Sequence, residues 1–240
     1  MDELSTPVSA SRGLIARLRH SLLESIGDVA FGMEDGAVSI SGLVFGVAAS
    51  TSDASIVLLA GATGAVAGAV SMMAGTYLDV HSENSVARAE VERLRRRIEA
   101  DPEGTLERVV RQFRQSGFTD DEAAAMRRAF ERNPRAMLDH VAAYEVGLPR
   151  PKGGSPRAHA LWMFAADLLA AGVPVLPFAF LPMETARPVS LVVTGLLMAT
   201  LGVARGIIGH ESLWRTALQT MAIAGAAALA GVLMGHFVTA

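Results

Sequence analysis

No cysteine occurs among the 240 residues. Its absence removes disulfide frameworks, zinc ribbons, iron–sulfur clusters and thiol nucleophiles together. Other signatures are missing too. The six histidines show no HxxxH or HExxH spacing. There is no glycine loop ending in GK[ST], which argues against a primary ATP-driven pump. No Ser/His/Asp arrangement stands out, and the chain reads as a non-enzyme with no tightly bound cofactor. Aromatic residues are scarce at 5%, although 51% of the chain is hydrophobic and 23 residues are glycine. With a mean hydropathy of +0.35, that is too apolar for a soluble domain unless the apolar residues are gathered into lipid-facing stretches. A net charge of −3 argues against a nucleic-acid partner.

The more telling scarcity is local. Gly36–Ser52 and Ala54–Leu78 carry no charged residue, and only Asp53 separates them. Ala160–Met183 holds Asp167 alone, and Val189–Ile208 holds only Arg205. Thr216–Ala240 has no Asp, Glu, Lys or Arg. Crossing about 30 Å of hydrocarbon takes roughly 20 apolar residues as a helix, and none of these runs alternates as a barrel strand would. The expected fold is an all-α membrane protein with five transmembrane helices, two before and three after a helical insert. The expected organisation is an N-terminal amphipathic segment over 1–33, helices one and two over 34–80, the insert over 81–157, and helices three to five over 158–240.

Between His81 and Arg157 lie 15 of the 21 basic residues and 13 of the 24 acidic ones. Basic excess beside membrane spans marks the cytoplasmic side. Arg12, Arg17 and Arg19 put the N-terminus on that side as well, so an odd number of spans leaves the C-terminus outside. Leu14–Ile26 reads as an amphipathic interfacial helix and lacks the pattern of a cleaved signal peptide. The Ala/Arg-rich composition leans toward a bacterial plasma membrane. Within the insert, a charged helix over Glu83–Ile98 continues the second span, and Asp101-Pro102 ends it. Leu106–Gln115 forms the next helix, stopped by Gly117. Thr119 with Glu122 fits a capping box for a third, and Asn133-Pro134 opens a fourth that stops at Gly147. His81, His140, His159 and His210 are expected to be solvated, at interfaces or on surface helices.

Four GxxxG spacings fall within spans: Gly42/Gly46, Gly64/Gly68, Gly202/Gly206 and Gly231/Gly235. They allow close helix approach in a tight bundle or a dimer. Ionisable residues at membrane depth carry more information, because a carboxylate at the bilayer centre costs about 2.5–3.5 kcal/mol on insertion scales. Asp35, beside Glu34, opens the first span. Asp167 lies about eight residues into the third. Three roles are open for it: pairing with Arg205, hydrogen bonding within the bundle, or acting as an intramembrane carboxylate in transport.

A further set of residues falls in order along the chain. Asp35-Gly36 opens a small-residue span. Gly68-Ala69-Val70-Ser71-Met72 leads to Gly75-Thr76-Tyr77-Leu78 and Ser82-Glu83. Then come Asn133-Pro134, Tyr144-Glu145-Val146-Gly147-Leu148, Pro174-Val175-Leu176-Pro177-Phe178, Arg205-Gly206 and Ala217-Leu218-Gln219-Thr220-Met221. From about Gly32 to the C-terminus, the chain resembles the vacuolar iron transporter family, which includes transporters of the yeast vacuolar calcium-cross-complementing type. The resemblance implies a homodimer in the lipid bilayer. Its first spans would line a path for divalent iron or manganese, exported from the cytoplasm against protons for metal homeostasis and detoxification. It also implies metal ligands at Asp35, Met72 and Glu145. A carboxylate beside a thioether suits transition metals better than calcium or magnesium.

The departures from the family's pattern are equally specific. A glutamate common in the family eight residues before the methionine is Gly64 here. Family ligand positions of the insert fall on Leu94, Arg97, Thr105, Arg108, Val141 and Ala142, and Arg93, Arg95, Arg96 and Arg97 oppose a cation by like charge. Glu99, Glu103 and Glu107 lie near enough to substitute if the alignment shifts. The competing expectation is a membrane-anchored regulatory or interaction module on the same scaffold, with little or no metal transport.

Overall fold

The computed structural model describes residues 7–144 and 155–239, with side-chain surroundings for 16–143 and 155–238. Among the described residues every regular element is a helix: α1 (Pro7–Glu24), α2 (Ile26–Ser50), α3 (Ala54–Ala100), α4 (Pro102–Gln115), α5 (Asp120–Arg132), α6 (Pro134–Tyr144), α7 (Pro156–Val175), α8 (Pro177–Phe180), α9 (Met183–Ile208) and α10 (Leu213–Thr239). Five of them, α2, α3, α7, α9 and α10, are long and apolar enough to cross a membrane. The five expected spans are therefore present, with the shorter α4, α5 and α6 between the second and third. The chain divides into two units, one of Met1–Leu78 with Gly154–Ala240 and one of Asp79–Gly153.

In the first unit α2 is the central helix, and its glycines explain why. A Cβ on Gly32 would meet Met163 of α7, and one on Gly36 would meet the backbone carbonyl of Asp167. On another face, Gly42 and Gly46 abut the backbone of Ala227 and Gly231 in α10, while Gly231 and Gly235 abut the carbonyls of Gly42 and Gly46. Two of the GxxxG pairs thus meet each other inside one chain. Removing the side chains lets main chains touch, and in lipid that van der Waals contact replaces the missing hydrophobic drive.

The contact order also fixes direction. Residues 32 and 36 pair with 163 and 167, and 42 and 46 with 227 and 231, so α2, α7 and α10 run parallel. Gly202 lies against Ala217, and Gly206 against Leu213, so α9 runs antiparallel to α10. These directions are what alternate crossings by spans one, three, four and five demand.

Two apolar clusters fill this unit. One joins Ile40, Val44 and Ala48 of α2 to Val57 and Ala65 of α3, Ala171 and Val175 of α7, and Phe178. The other joins Ala37, Ala170, Met198 and Ala224. Pro174, inside the last turn of α7, and Pro177, just after it, each lack a backbone donor, and the Ser190 hydroxyl donates to the Pro174 carbonyl at 2.7 Å. Arg187 donates to the carbonyls of Ala48 (2.6 Å) and Thr51 (2.9 Å), which otherwise end α2 without partners.

The second unit has its own core. Leu94 and Ile98 of α3 pack with Leu106, Val109 and Val110 of α4, Ala123 and Phe130 of α5, and Met137 and Val141 of α6. Each helix starts where the sequence places a cap. Asp101 accepts from the Gly104 amide at 2.9 Å, and Gly117 turns the chain at φ +96°. Thr119 and Glu122 form the expected capping box. Asn133 accepts from the Ala136 amide at 3.2 Å. The expected stop at Gly147 lies outside the described residues.

Two outcomes follow. Gly231→Val drives a branched side chain into the Gly42 carbonyl and lowers the thermal stability of the detergent-solubilised protein by roughly 1–3 kcal/mol. Gly225→Ala, with nothing within 4 Å of the added Cβ, leaves the transition within error. In the insert, the Thr119 backbone and then its side-chain hydrogen bond hold the Glu122 carboxyl below its ordinary value of 4.5. A lowered folded-state pKa contributes stability above the ordinary value that is lost as pH falls through and below it. Hydrogen exchange on the full chain is expected to show the first-turn amides of α5 losing protection on acidification, and Glu122→Gln removing that pH dependence.

Candidate intramembrane cation site

Asp35 lies inside α2, because the helix begins at Ile26. Nine residues at 1.5 Å each carry it about 13 Å along the axis. It shares a stripe at i, i+4 spacing with Phe31, Ser39 and Leu43. Phe31 and Leu43 are exposed, and Asp35 is half-buried. Its neighbour Glu34 points elsewhere and pairs with Arg205 of α9 at 3.6 Å. That contact decides one of the open roles of Asp167, which is not the partner of Arg205.

Asp167 faces α2. Its Oδ1 lies 2.8 Å from where a Cβ on Gly36 would stand, and it is only 2% exposed. One turn earlier on α7, the Met163 sulfur lies 2.6 Å from the corresponding point on Gly32. One turn earlier again, His159 Nδ1 and Asp28 Oδ2 are 2.5 Å apart. His159 is buried at 1% exposure, which corrects the expectation that it is solvated. The whole seam follows from spacing. His159, Met163 and Asp167 sit at i, i+4 and i+8 on one face of α7, and Asp28, Gly32 and Gly36 repeat that interval on α2. This repeat is visible in the sequence, but which glycine stripe α7 would choose is not.

Met72 lies on α3, which descends past α2 in the opposite direction. Gly61 contacts Val44, and Gly64 contacts Ile40 and Leu43. Met72 lies two turns beyond Gly64 on the same helix. Near that level α3 stands clear, since nothing lies within 4 Å of a Cβ on Gly68 or Gly75. The residue packed on the Asp35-Gly36 turn is therefore supplied by α7. The space beside Gly64 is filled by the Leu43 side chain.

The insert positions separate cleanly. Leu94, Thr105 and Val141 are buried in the insert, and Leu94 and Val141 belong to its apolar core with Ala142 packed against it. Arg97 and Arg108 are exposed. Of the nearby glutamates, Glu99 pairs with Arg95 at 3.0 Å and Glu103 pairs with Arg127. Among the described residues no group of three or more His, Cys, Asp or Glu is placed to hold a metal. Glu145 lies outside the described residues.

The VIT family model matches residues 26–236. The chain belongs to the VIT family. Vacuolar iron transporter 1 of Arabidopsis thaliana is 32% identical, over 85% of this chain and 84% of the relative. The vacuolar iron transporter of Centaurea cyanus is 31% identical, over 85% of both. Protein CCC1 of Saccharomyces cerevisiae is 28% identical, over 65% of this chain and 48% of the relative. The protein is thus a multi-pass membrane protein of a transporter family and not an enzyme. Within the matched region, Asp35 falls on α2 and Met72 on α3.

The seam has a testable energetic consequence. Asp28→Leu deprives a buried imidazole of its carboxylate and lowers stability by about 1–3 kcal/mol. Glu34→Gln, whose partner Arg205 is 55% exposed on its side chain, changes stability by less than about 1 kcal/mol. Thermal unfolding in detergent compares the two directly.

Proposed function

We propose that the protein is a secondary transporter that moves divalent iron or manganese out of the cytoplasm in exchange for protons, with Asp35 and Met72 as membrane ligands. The observation that carries this reading is a carboxylate held within the spanning helix α2 of a VIT family chain, on a stripe its own chain covers only in part. A buried charge of that kind marks an ion path more often than a packing element. The relatives named as vacuolar iron transporters support iron as a cargo.

The chemistry of the pair fits such a cargo. Asp35 supplies a hard, charged oxygen that compensates part of the ion's lost hydration. A thioether adds a soft donor that favours first-row transition metals over magnesium or calcium. Proton and cation compete for one carboxylate oxygen, so binding of one expels the other, which is the minimum requirement for exchange. A homodimer fits the half-open stripe of Phe31, Asp35, Ser39 and Leu43 and the exposed face of α3, where Leu59, Val66, Val70 and Leu78 lack cover within the chain. Two copies of Asp35 and Met72 would then share one axis.

In this reading the N-terminus and insert are cytoplasmic, because the basic residues concentrate there. The cation therefore leaves the cytoplasm whichever membrane houses the protein. The relatives' names point to a vacuole, whereas the Ala/Arg-rich composition points to a bacterial plasma membrane. The insert serves as a folded scaffold, with Glu145 as a candidate ligand. The alternative, a regulatory or interaction module without transport, draws on the replacement of insert ligands by the core residues Leu94 and Val141.

Proteoliposome flux separates the two. The wild type is expected to move Fe²⁺ or Mn²⁺ down an imposed proton gradient, and Asp35→Ala to abolish that flux. Wild-type flux in Asp35→Ala contradicts the ligand assignment. Absence of metal flux from the folded wild type, across Fe²⁺, Mn²⁺, Co²⁺ and Zn²⁺, favours the module.

A further inference from the structure

We propose that Asp167 is a second carboxylate donor of the cation site, supplied by α7 of the same chain, with the Met163 sulfur as its soft companion. The inference rests on the reading of Asp35 as a cation ligand and extends it from one anionic group per chain to two. Its basis is the α2–α7 seam. Asp167 is 2% exposed at membrane depth, and its carboxylate is fixed against the turn that carries Asp35-Gly36. Because its Oδ1 and carbonyl occupy the space of a missing Gly36 Cβ, the group is held on α2 by main-chain geometry.

A carboxylate buried this deeply needs a compensating charge or a path to water. Among the described residues, several basic side chains of the spans have partners other than Asp167. His159 pairs with Asp28, Arg205 with Glu34, and Arg187 with the α2 carbonyls. Arg215 lies over its neighbour Trp214. On α2, Asp35 is the acidic residue next in sequence to Gly36, against which the Asp167 carboxylate lies. Toward α9 and α10 the neighbouring cluster is apolar, with Met198 and Ala224.

Two carboxylates and a divalent ion sum to zero charge. In a medium of low dielectric, that balance favours capture of a dication over a monovalent ion. Met163, one turn toward the start of α7, turns its sulfur to the same seam. An oxygen–oxygen–sulfur set of this kind suits manganese or iron. Asp35 and Asp167 thereby form a site within one protomer, whereas Met72 approaches from α3.

The test is Mn²⁺ binding to the purified full-length protein, followed by the electron paramagnetic resonance signal of the free ion, with thermal unfolding measured with and without Mn²⁺. Asp35→Asn and Asp167→Asn are each expected to weaken binding on the order of 10- to 100-fold and to shrink the metal-induced rise in unfolding temperature. The metal-free stability of Asp167→Asn is expected to stay level or increase, since a buried charge is removed. A residue that only supports packing would instead lower it. If Asp167→Asn does not fold, Asp167→Ser fits the same space and carries the same expectations. Wild-type affinity in Asp167→Asn, alongside loss in Asp35→Asn, overturns the role of Asp167 and leaves Asp35 as ligand. Wild-type affinity in Asp35→Asn, or no binding by the wild type, overturns the reading of Asp35 and this inference with it.

Discussion

Main-chain contact between α2 and its two parallel neighbours is the constraint on which the rest of the transmembrane unit depends. Gly32 and Gly36 admit α7, and Gly42 and Gly46 admit α10. Each approach is closer than any side chain would allow. In lipid there is no hydrophobic reward for bringing two apolar helices together, so association rests on dispersion between closely fitted surfaces. The glycines are also what let α7 press Asp167 onto the turn carrying Asp35. Packing and chemistry share Gly32 and Gly36.

This arrangement gives α2 three distinct surfaces. One is sealed by α7 and lined at successive turns by Asp28–His159, Gly32–Met163 and Gly36–Asp167. A second is sealed by α10 through facing glycine pairs. The third carries Phe31, Asp35, Ser39 and Leu43 and is only partly covered. An ionisable residue at the border of a sealed and an open surface has both a fixed geometry and access. Around it, Asp28 pairs with His159 and Glu34 with Arg205, and among the described residues no ion pair joins Asp35 or Asp167 to a basic side chain.

Much of the architecture is legible in the sequence because lipid imposes a severe compositional rule. Charge-free runs of about 20 residues have few readings, and the insert's helix ends follow from Asp101-Pro102, Gly117, Thr119/Glu122 and Asn133-Pro134, whose effects are local. What was not legible is tertiary. The GxxxG spacings announce close contact, but not that Gly42/Gly46 would meet Gly231/Gly235 within one chain. Nothing local distinguishes Glu34 from Asp167 as the partner of Arg205, because the choice depends on the rotation of α9. His159 reads as a surface histidine until α7 is known to turn that face to α2. The departures Leu94 and Val141 are visible as missing ligands, yet only the fold shows them inside an apolar core.

The insert and the spans differ in character. In the insert, an apolar core and arginine–glutamate pairs prevail. In the spans a buried acid is present at Asp167. The measurement that tests the ligand assignment most directly is anomalous diffraction at the manganese edge from crystals of the full chain grown with Mn²⁺. A peak bound by the Asp35 carboxylate, at the depth of Met72 and within reach of Asp167, is the expected result. Manganese bound only outside the spans, in protein that still transports it, would contradict it.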